Sequence, residues 1–587
     1  MGVSCSQVQS RSVHKMTTAA IQTKLSQPLR VRLDVKVPMR DGVKLSADIY
    51  TPNGSGPWPV LLDRTIYDNQ NDRGFAWIAR FVEAGYAVVM QDCRGRYDSD
   101  GTFQPYINEA ADGHDTVEWI GKQPWCNGKV GMFGISYIGF TQTQAALGGS
   151  QYLQGIMPIA AQQDNFGHWY ADGIFQLHVG MNFIRMAGRT MQSNSRNLMN
   201  SEELYNRLPL VSALDDIVDL PFFKDAVKHS EYGEFWQKYS MRDKYDRVDA
   251  PAYFVTGWYD NLLRETFRLF QGWTQKAKTE KARKATKLVV GPWAHHNIGS
   301  AEQFGVVGFG TNAGMDIAGE HIRWYDCRLK GIDNGIDSEA PMRIFTMGEN
   351  RWRTENQWPL PNMKYHKFFL HGRKANSLYG EGTMSLDKCT EDEEDDTFIY
   401  DPRNPVPTVG GQSLGVAGIV PGPADRRPVQ RRDDVLVYTT APLEKDMEAT
   451  GPALVTLWAS SEAKDTDFTA NVTDVYPDGT AVAVCEGISS GRWAELKGNP
   501  IDQFKPEFMK PGEITKFSIQ LWEMSYVFKK GHRIRLELSS SNFPRYARNL
   551  NTGAPFGTDS EMVVAKNTVY HRGRVCTHLT LPIIPRE

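Results

Sequence analysis

Residues 129–139 read KVGMFGISYIG, and this stretch decides the fold. The apolar run Val130–Phe133 predicts a buried strand and residues 140–147 predict a helix, so a sharp turn must join them. The turn fits the pattern Gly-x-Ser-x-Gly with one extra residue before the last glycine, and it would push the Ser136 hydroxyl out of the sheet. The N–H of Tyr137, at the start of the helix, would then face a developing oxyanion.

A serine hydroxyl is a poor nucleophile unless a histidine and an orienting carboxylate act on it. Candidates for both follow later strands. The strand predicted at Tyr253–Val255 leads into Asp260, and the strand at Leu288–Val290 leads into His295. Both positions come just past a strand end, where the sites of open sheets lie. The chain order Ser136, Asp260, His295 is also the order found in α/β-hydrolases.

Each of these residues also has an ordinary structural explanation. Asp260 is compatible with a loop cap and His295 with a loop histidine, while His296 is the rival for the role of base. Asp260 and His295 taken together with Ser136 favour catalysis, because chance placement of all three after strand ends is improbable.

The composition is that of a globular protein too long for one hydrophobic core. The 587 residues are 41% hydrophobic and 23% charged, unlike a disordered or collagen-like chain. Lys+Arg 66 against Asp+Glu 69 gives a net charge of -3, which argues against a nucleic-acid partner. No apolar run reaches the ~18–20 residues of a membrane-spanning helix.

The patterns along the chain divide it into a leader and three domains, one of them split. Residues 1–30 predict a leader, which we expect to be disordered. Strands and helices alternate over residues 31–160 and again over 249–352, predicting two halves of one mostly parallel α/β domain. Residues 161–248 predict a helical cap inserted between the halves. Short strands with Gly and Pro turns over 353–587 predict a jelly-roll β-sandwich.

The N-terminus and the cysteines indicate a cytoplasmic protein. The leader has no apolar stretch of the kind that secretory signals need, although a transit or acylation signal stays open, as does the choice between Met1 and Met16 as the start. The cysteines are odd in number, widely spread and without a CxxC pair, so we expect buried thiols and neither a disulfide framework nor a zinc site. They are Cys5, Cys93, Cys126, Cys327, Cys389, Cys485 and Cys576.

The motifs resemble those of the cocaine esterase/X-prolyl dipeptidyl peptidase group of serine hydrolases, called the CocE/NonD family, of the peptidase S15 type. They occur in order and cover roughly residues 31–585. The matching stretches are VPMRDGV (37–43), YD (67–68), QDCRGR (91–96), GISYIG (134–139), GWYD (257–260), GPWAH (291–295), DPRNPVP (401–407) and SSNFPRY (540–546).

This resemblance implies an α/β-hydrolase core with a helical cap and a C-terminal jelly roll. It implies Ser136 as nucleophile, His295 as base and Asp260 as the residue that orients the base. It further implies an oxyanion hole made by the Tyr67 hydroxyl and the backbone N–H of Tyr137. The loop after the first buried strand lacks a glycine-rich HGGG run, so a donor such as Tyr67 is needed, although Tyr67 is also compatible with packing alone. No metal or organic cofactor is required.

The pocket residues are harder to derive. Trp169, Phe175 and Phe183 in the cap are candidates to line an acyl or alcohol pocket, but aromatic residues at helical spacing are also typical of a core. Leu262 and Leu263 stand where ammonium-binding members of the family carry acids. An apolar pocket near Leu262 therefore favours uncharged esters.

We predict a serine hydrolase that cleaves carboxylic esters of small molecules through an acyl-enzyme. The alternatives are an X-prolyl dipeptidyl peptidase or an acyl-amide acylase acting on a β-lactam side chain. A remote alternative is a catalytically decayed protein that binds a glycan or a partner. We expect small-molecule ester or amide substrates as partners, and a homodimer stays open.

Overall fold

A computed structural model describes residues 29–70, 72–191, 201–493 and 507–586. Most of the predicted leader, its transit or acylation signals and the choice of start residue fall on residues 1–28, which lie outside the described residues. Within the described ranges, no helix combines the length and the apolar character needed to cross a bilayer.

The first part of the chain builds a large open sheet. Its order is β1-β2-β4-β3-β5-β6-β9-β10-β11-β12, and β7 pairs with β8 in a separate hairpin. The strands from β4 across to β11 run parallel, with antiparallel strands at both edges. The strands are β1 (Arg30–Pro38), β2 (Lys44–Thr51), β3 (Trp58–Thr65), β4 (Ala87–Asp92), β5 (Cys126–Ile135), β6 (Leu153–Ile159), β7 (Tyr170–Ala171), β8 (Ile174–Phe175), β9 (Tyr253–Tyr259), β10 (Lys287–Ala294), β11 (Met342–Thr346) and β12 (Arg351–Glu355).

Central strands of this sheet are buried on both faces. Every residue of β4, β9 and β10 is buried, which explains why they are continuous apolar runs without alternation. The helices are α1 (Asp72–Glu83), α2 (Glu109–Gly121), α3 (Tyr137–Gly148), α4 (Asn165–Trp169), α5 (Leu177–Asn182), α6 (Glu202–Asn206), α7 (Pro221–Lys228), α8 (Glu234–Gln237), α9 (Leu263–Lys276), α10 (Glu280–Ala285), α11 (Ile317–Tyr325), which a π-helical turn (Asp326–Lys330) extends, and α12 (Arg427–Gln430). Short 3-10 helices lie at Phe183–Met186, Leu210–Ser212, Tyr245–Arg247, Thr311–Ala313, Ile336–Ser338 and Gly491–Trp493.

The segment between β6 and β9 forms the cap. Its described residues form the short helices α4 to α8 and the β7–β8 hairpin. Its aromatic side chains build a hydrophobic cluster that continues into the core through Tyr137 and Phe140 of α3. The cap is therefore held over the serine turn by packing.

The last part of the chain is a β-sandwich of mainly antiparallel strands. Their pairing follows the order β15-β22-β17-β24-β13-β14-β16-β21-β18-β19, with β20 on β17 and β23 on β22. The strands are β13 (Lys364–His371), β14 (Thr383–Ser385), β15 (Asp396–Tyr400), β16 (Leu436–Thr439), β17 (Met447–Ser461), β18 (Asp467–Val475), β19 (Ala481–Ser490), β20 (Thr515–Phe528), β21 (Arg533–Ser539), β22 (Ala565–Arg572), β23 (Val575–Cys576) and β24 (His578–Ile584). The predicted fold class, an α/β core with a cap and a C-terminal sandwich, is confirmed.

The sandwich carries one departure from the sequence-based expectation. Cys389 and Cys576 form a disulfide, with their Cα atoms 5.9 Å apart. The expectation of thiols alone was wrong here, because spacing along the chain says nothing about two cysteines that are 187 residues apart and meet only when the strands pair. Cys93, Cys126 and Cys485 are buried free thiols, and Cys327 is a half-buried one.

Candidate active site

The predicted serine turn is present between β5 and α3. Ser136 has φ 66° and ψ -124°, a conformation that side chains rarely adopt and that persists only where the surroundings impose it. Its N–H donates to the carbonyl of Ile159 at 2.9 Å, which fixes the turn against β6. Gly134 has φ 127°, and a Cβ there would lie 2.2 Å from Cγ2 of Ile138. The turn therefore requires glycine at this position.

A histidine and a carboxylate meet where β9 and β10 end. The Nδ1 atom of His295 lies 3.1 Å from Oδ1 of Asp260. The Asp260 side chain is fully buried and also accepts hydrogen bonds from Leu262 N at 2.8 Å and Thr256 Oγ1 at 3.4 Å. Because the carboxylate accepts, Nδ1 carries the proton and Nε2 keeps its lone pair. Within the described chain this bond is made by His295, whereas His296 makes none to Asp260.

Two glycines allow β9 and β10 to approach closely at this end of the sheet. A Cβ on Gly257 would lie 2.1 Å from the carbonyl oxygen of Trp293, and one on Gly291 would lie 2.5 Å from the Trp293 ring. The indole N–H of Trp293 is itself anchored on the carbonyl of Ser300 at 2.9 Å. The glycines of the GWYD and GPWAH motifs thus permit the close packing of β9 against Trp293, and this packing holds the loop that carries His295.

Two donors lie beside the serine. Tyr67 follows β3 and is half-buried; its phenol oxygen contacts the Ser136 side chain and the backbone N–H of Tyr137. Burial raises the pKa of Tyr67, and these two hydrogen bonds offset part of that rise. Tyr67 is consequently a neutral O–H donor at physiological pH. The Tyr137 ring is anchored by its own hydroxyl, which donates to Glu109 Oε1 at 3.1 Å.

These groups open into a narrow cavity between the core and the cap. Six of the predicted site residues line it, Asp260 stands behind His295, and Trp169 and Phe175 do not line it. Trp169 packs in the cap cluster with its ring centroid 4.8 Å from that of Phe183; core packing was the alternative that the sequence left open. The lining residues are Tyr67, Tyr106, Ser136, Tyr137, Gln162, His168, Val179, Asn182, Phe183, Met186, Asn261, Leu262, His295 and Leu414.

The sequence reasoning missed four polar residues of this cavity: Gln162, His168, Asn182 and Asn261. Gln162 comes three residues after β6 and Asn261 comes two after β9, so the strand-end rule that found Asp260 would have found both. His168 and Asn182 lie on α4 and α5, which are too short to leave a periodic signal. Burial, followed by the neighbouring His295 and His178, lowers the pKa of His168 to about 3.

A pair of buried carboxyl groups lies behind the serine turn. Asp63 on β3 would be 3.2 Å from a Cβ at position 134, and burial together with nearby Asp92 raises the pKa of Asp63 well above its usual value. Asp92 ends β4, accepts the N–H of Asn69 at 2.9 Å, and has a pKa that burial raises to about 8. Burial therefore favours the protonated, uncharged form of both carboxyl groups.

A serine on a strained strand–helix turn, beside a histidine that is bonded to a buried carboxylate, is the arrangement of serine hydrolases. The surrounding parallel sheet with an inserted cap is that of the α/β-hydrolases. The molecule therefore falls in the class of α/β-hydrolase-fold serine hydrolases.

Comparison with known proteins gives the family. Residues 41–297 match the model of X-Pro dipeptidyl-peptidase (S15 family), and residues 334–580 match that of the X-Pro dipeptidyl-peptidase C-terminal non-catalytic domain. The chain is 38% identical to cocaine esterase from Rhodococcus sp. (strain MB1 Bresler), over 95% of this chain and 99% of that protein. The chain belongs to this family, the CocE/NonD serine hydrolases of the peptidase S15 type.

Solved structures agree with the fold. The aminopeptidase from the marine sediment archaeon Thaumarchaeota archaeon superimposes with a TM-score of 0.82 at 23% identity, covering 99% of both chains. An α-amino acid ester hydrolase superimposes with a TM-score of 0.79 at 24% identity, covering 98% of this chain and 100% of that one. At such identities, the likeness concerns the arrangement of core, cap and sandwich.

Proposed function

We propose that this chain hydrolyses carboxylic esters of small molecules through an acyl-enzyme formed on Ser136. The observation that carries the proposal is the hydrogen bond of 3.1 Å between His295 and Asp260, at a cavity that Ser136 also lines. In the proposal His295 is the general base, and buried Asp260 holds its ring and stabilises the imidazolium.

The proposed reaction follows from the roles of these groups. Nε2 of His295 takes the Ser136 proton while Oγ attacks the ester carbonyl, which gives a tetrahedral intermediate. Its oxyanion accepts hydrogen bonds from the Tyr67 hydroxyl and the Tyr137 N–H, which already lie together beside Ser136. The alcohol leaves with the proton from His295, and water then attacks the acyl-enzyme by the same route.

The choice of an ester rests on the cavity and on the relatives. No carboxylate is among the described residues that line the cavity, so a free N-terminal ammonium would lack a partner there. The relative that is 38% identical is named for an esterase activity. The second candidate is an X-prolyl dipeptidyl peptidase, which the names of both matching family models favour.

Active-site labelling and a substrate pair test the proposal. Wild-type protein should react with a fluorophosphonate probe, and Ser136→Ala should not, while Ser338→Ala, at an exposed serine, should label fully. Wild type should also hydrolyse p-nitrophenyl acetate faster than an Xaa-Pro anilide. Equal labelling of Ser136→Ala would exclude the serine mechanism, and faster anilide cleavage would favour the peptidase.

We propose that the partners of this chain are small-molecule substrates. We propose no nucleic-acid partner, because the net charge is only -3. A cytoplasmic location belongs to the proposal, and a homodimer stays open. The Cys389–Cys576 disulfide is the observation that weighs against a reducing compartment. Alkylation with mass spectrometry of protein taken directly from cells tests the compartment, and light scattering tests the dimer.

A further inference from the structure

Four polar side chains line the cavity beside Ser136 and are hydrogen-bonded incompletely. They are Gln162, His168, Asn182 and Asn261. The buried atoms Oε1 of Gln162, Nδ1 of His168, Oδ1 of Asn182 and both amide atoms of Asn261 have no hydrogen-bond partner among the described residues. Gln162 and Asn261 are only 1% and 2% exposed.

Such groups are costly to bury, since each unsatisfied donor or acceptor gives up its hydrogen bonds to water. A hydrogen bond holds the side chain of Gln162, and a closed loop holds the backbone of Asn261. Gln162 donates its amide N–H to Asn165 Oδ1 at 3.0 Å, which leaves Oε1 as the free atom. Asn261 follows Asp260 directly, on the loop that Asp260 closes through its bond to Leu262 N. Their clustering at one cavity indicates that a ligand completes their hydrogen bonds.

The charge of that ligand group follows from the surroundings. No Asp, Glu, Lys or Arg is among the described residues lining the cavity, and His168 is neutral because burial lowers its pKa to about 3. The cations that act on this region are Arg185 and Arg96, which lower the pKa of Tyr67 from outside the lining. A buried ammonium would thus meet no carboxylate among the described lining residues, at a large cost.

Resting on the proposed function, we infer that this cavity recognises an uncharged substituent of the ester that both donates and accepts hydrogen bonds, namely a carboxamide or a hydroxyl. The side chains of Gln162, Asn182 and Asn261 offer acceptors, and Asn261 adds an N–H donor, so a primary carboxamide matches them with two donors and one acceptor. The sequence predicted an apolar pocket near Leu262. In this inference Phe183 and Leu262 form apolar walls of the cavity, and its polar side chains select the substituent of the ester.

The test uses benzyl esters of four acids with the same chain length: glutaramic acid, its hydrocarbon isostere isoheptanoic acid, glutaric acid as the anion and δ-aminovaleric acid as the cation. A second arm uses acetates of carbamoylbenzyl and isopropylbenzyl alcohols, which tells whether the acyl or the alcohol part enters the cavity. In either the acyl series or the alcohol series, kcat/KM for the carboxamide ester should exceed kcat/KM for its hydrocarbon isostere at least about tenfold. This is the factor expected for one satisfied buried hydrogen bond.

Variants assign the preference to the cavity. Gln162→Leu and Asn261→Leu should each reduce the carboxamide-to-isostere ratio about fivefold or more. Gln163→Leu is the matched control, because Gln163 donates to Tyr245 OH at 2.7 Å and does not line the cavity; its ratio should equal that of wild type. The ratio is internal to each variant, so a partial loss of folded protein does not affect it.

The outcomes separate this inference from the proposed function. If wild type fails to hydrolyse p-nitrophenyl acetate, or if Ser136→Ala retains that activity, the proposed function is wrong. If acetate hydrolysis depends on Ser136 but neither arm favours the carboxamide, or the charged acids are preferred, the inference alone is overturned. A carboxamide preference that Gln162→Leu and Asn261→Leu leave intact, or that Gln163→Leu lowers equally, also overturns it.

Discussion

Removing one hydroxyl tests the proposed oxyanion hole. Tyr67→Phe keeps the aromatic ring and deletes the oxygen that contacts Ser136 and the N–H of Tyr137. Since burial raises the pKa of Tyr67, the phenol is a full O–H donor throughout the physiological pH range, and the variant loses that donor at every pH in it. The N–H of Tyr137 remains as the second donor.

The size of the effect follows from the number of donors lost. Deleting one oxyanion-hole donor lowers kcat by about 10²–10³, or roughly 2.7–4 kcal/mol of transition-state stabilisation. KM should change little, because the ground-state carbonyl oxygen carries less charge than the oxyanion. Hydrolysis of p-nitrophenyl acetate under saturating substrate measures kcat, and single-turnover burst kinetics show whether acylation is the step that slows.

A matched tyrosine separates catalysis from packing. Tyr253 is a buried residue whose hydroxyl donates to Glu320 at 3.1 Å. It is the first residue of β9, at the opposite end of the strand from Asp260. Tyr253→Phe also loses one hydroxyl hydrogen bond, so it should lose about as much stability and keep kcat. If Tyr67→Phe lowered kcat less than about threefold, or only as much as Tyr253→Phe, the assignment of Tyr67 as a donor would be refuted.

Three further changes test the site and its surroundings. Asp260→Asn should lower kcat about 10⁴-fold while the fold is retained, because an amide no longer enforces the histidine tautomer; a loss below tenfold would contradict the assigned role. Gly134→Ala should destabilise by about 2 kcal/mol or more, since its Cβ would lie 2.2 Å from Ile138 Cγ2, and by more than Gly149→Ala, which meets open space at φ 69°; equal urea midpoints would disprove this. Burial raises the pKa of Asp92 to about 8, so between about pH 4 and 8 the folded chain holds a proton that the unfolded chain lacks, and wild type should lose up to roughly 1.4 kcal/mol per pH unit relative to Asp92→Asn as pH rises. Urea midpoints that run parallel for the two proteins over this range would disprove it.

The sequence was sufficient to place candidate residues at the ends of strands. Ser136, Asp260 and His295 each follow a strand whose apolar run is readable, and parallel strands bring their carboxyl ends to one edge of the sheet. It was insufficient where packing of irregular segments decides. Trp169 and Phe183 are both cap aromatics, yet only Phe183 lines the cavity, because the short cap helices turn their faces according to contacts that no periodicity encodes.

Residues at strand ends and residues of the cap differ in how far the sequence predicts them, because the central sheet and the cap place different requirements on their side chains. Reactive groups need positions held to within fractions of an ångström, and the strained turn at Ser136 and the buried bond of Asp260 obtain this from the central sheet. The side chains that we propose to select the substrate include Gln162, His168 and Asn182, which lie on a loop and on short helices outside the central sheet. The proposed site therefore predicts that the substrate preference of this chain depends on the polar side chains of the cap together with Asn261, and that substitutions there change preference more than they change the chemistry on Ser136.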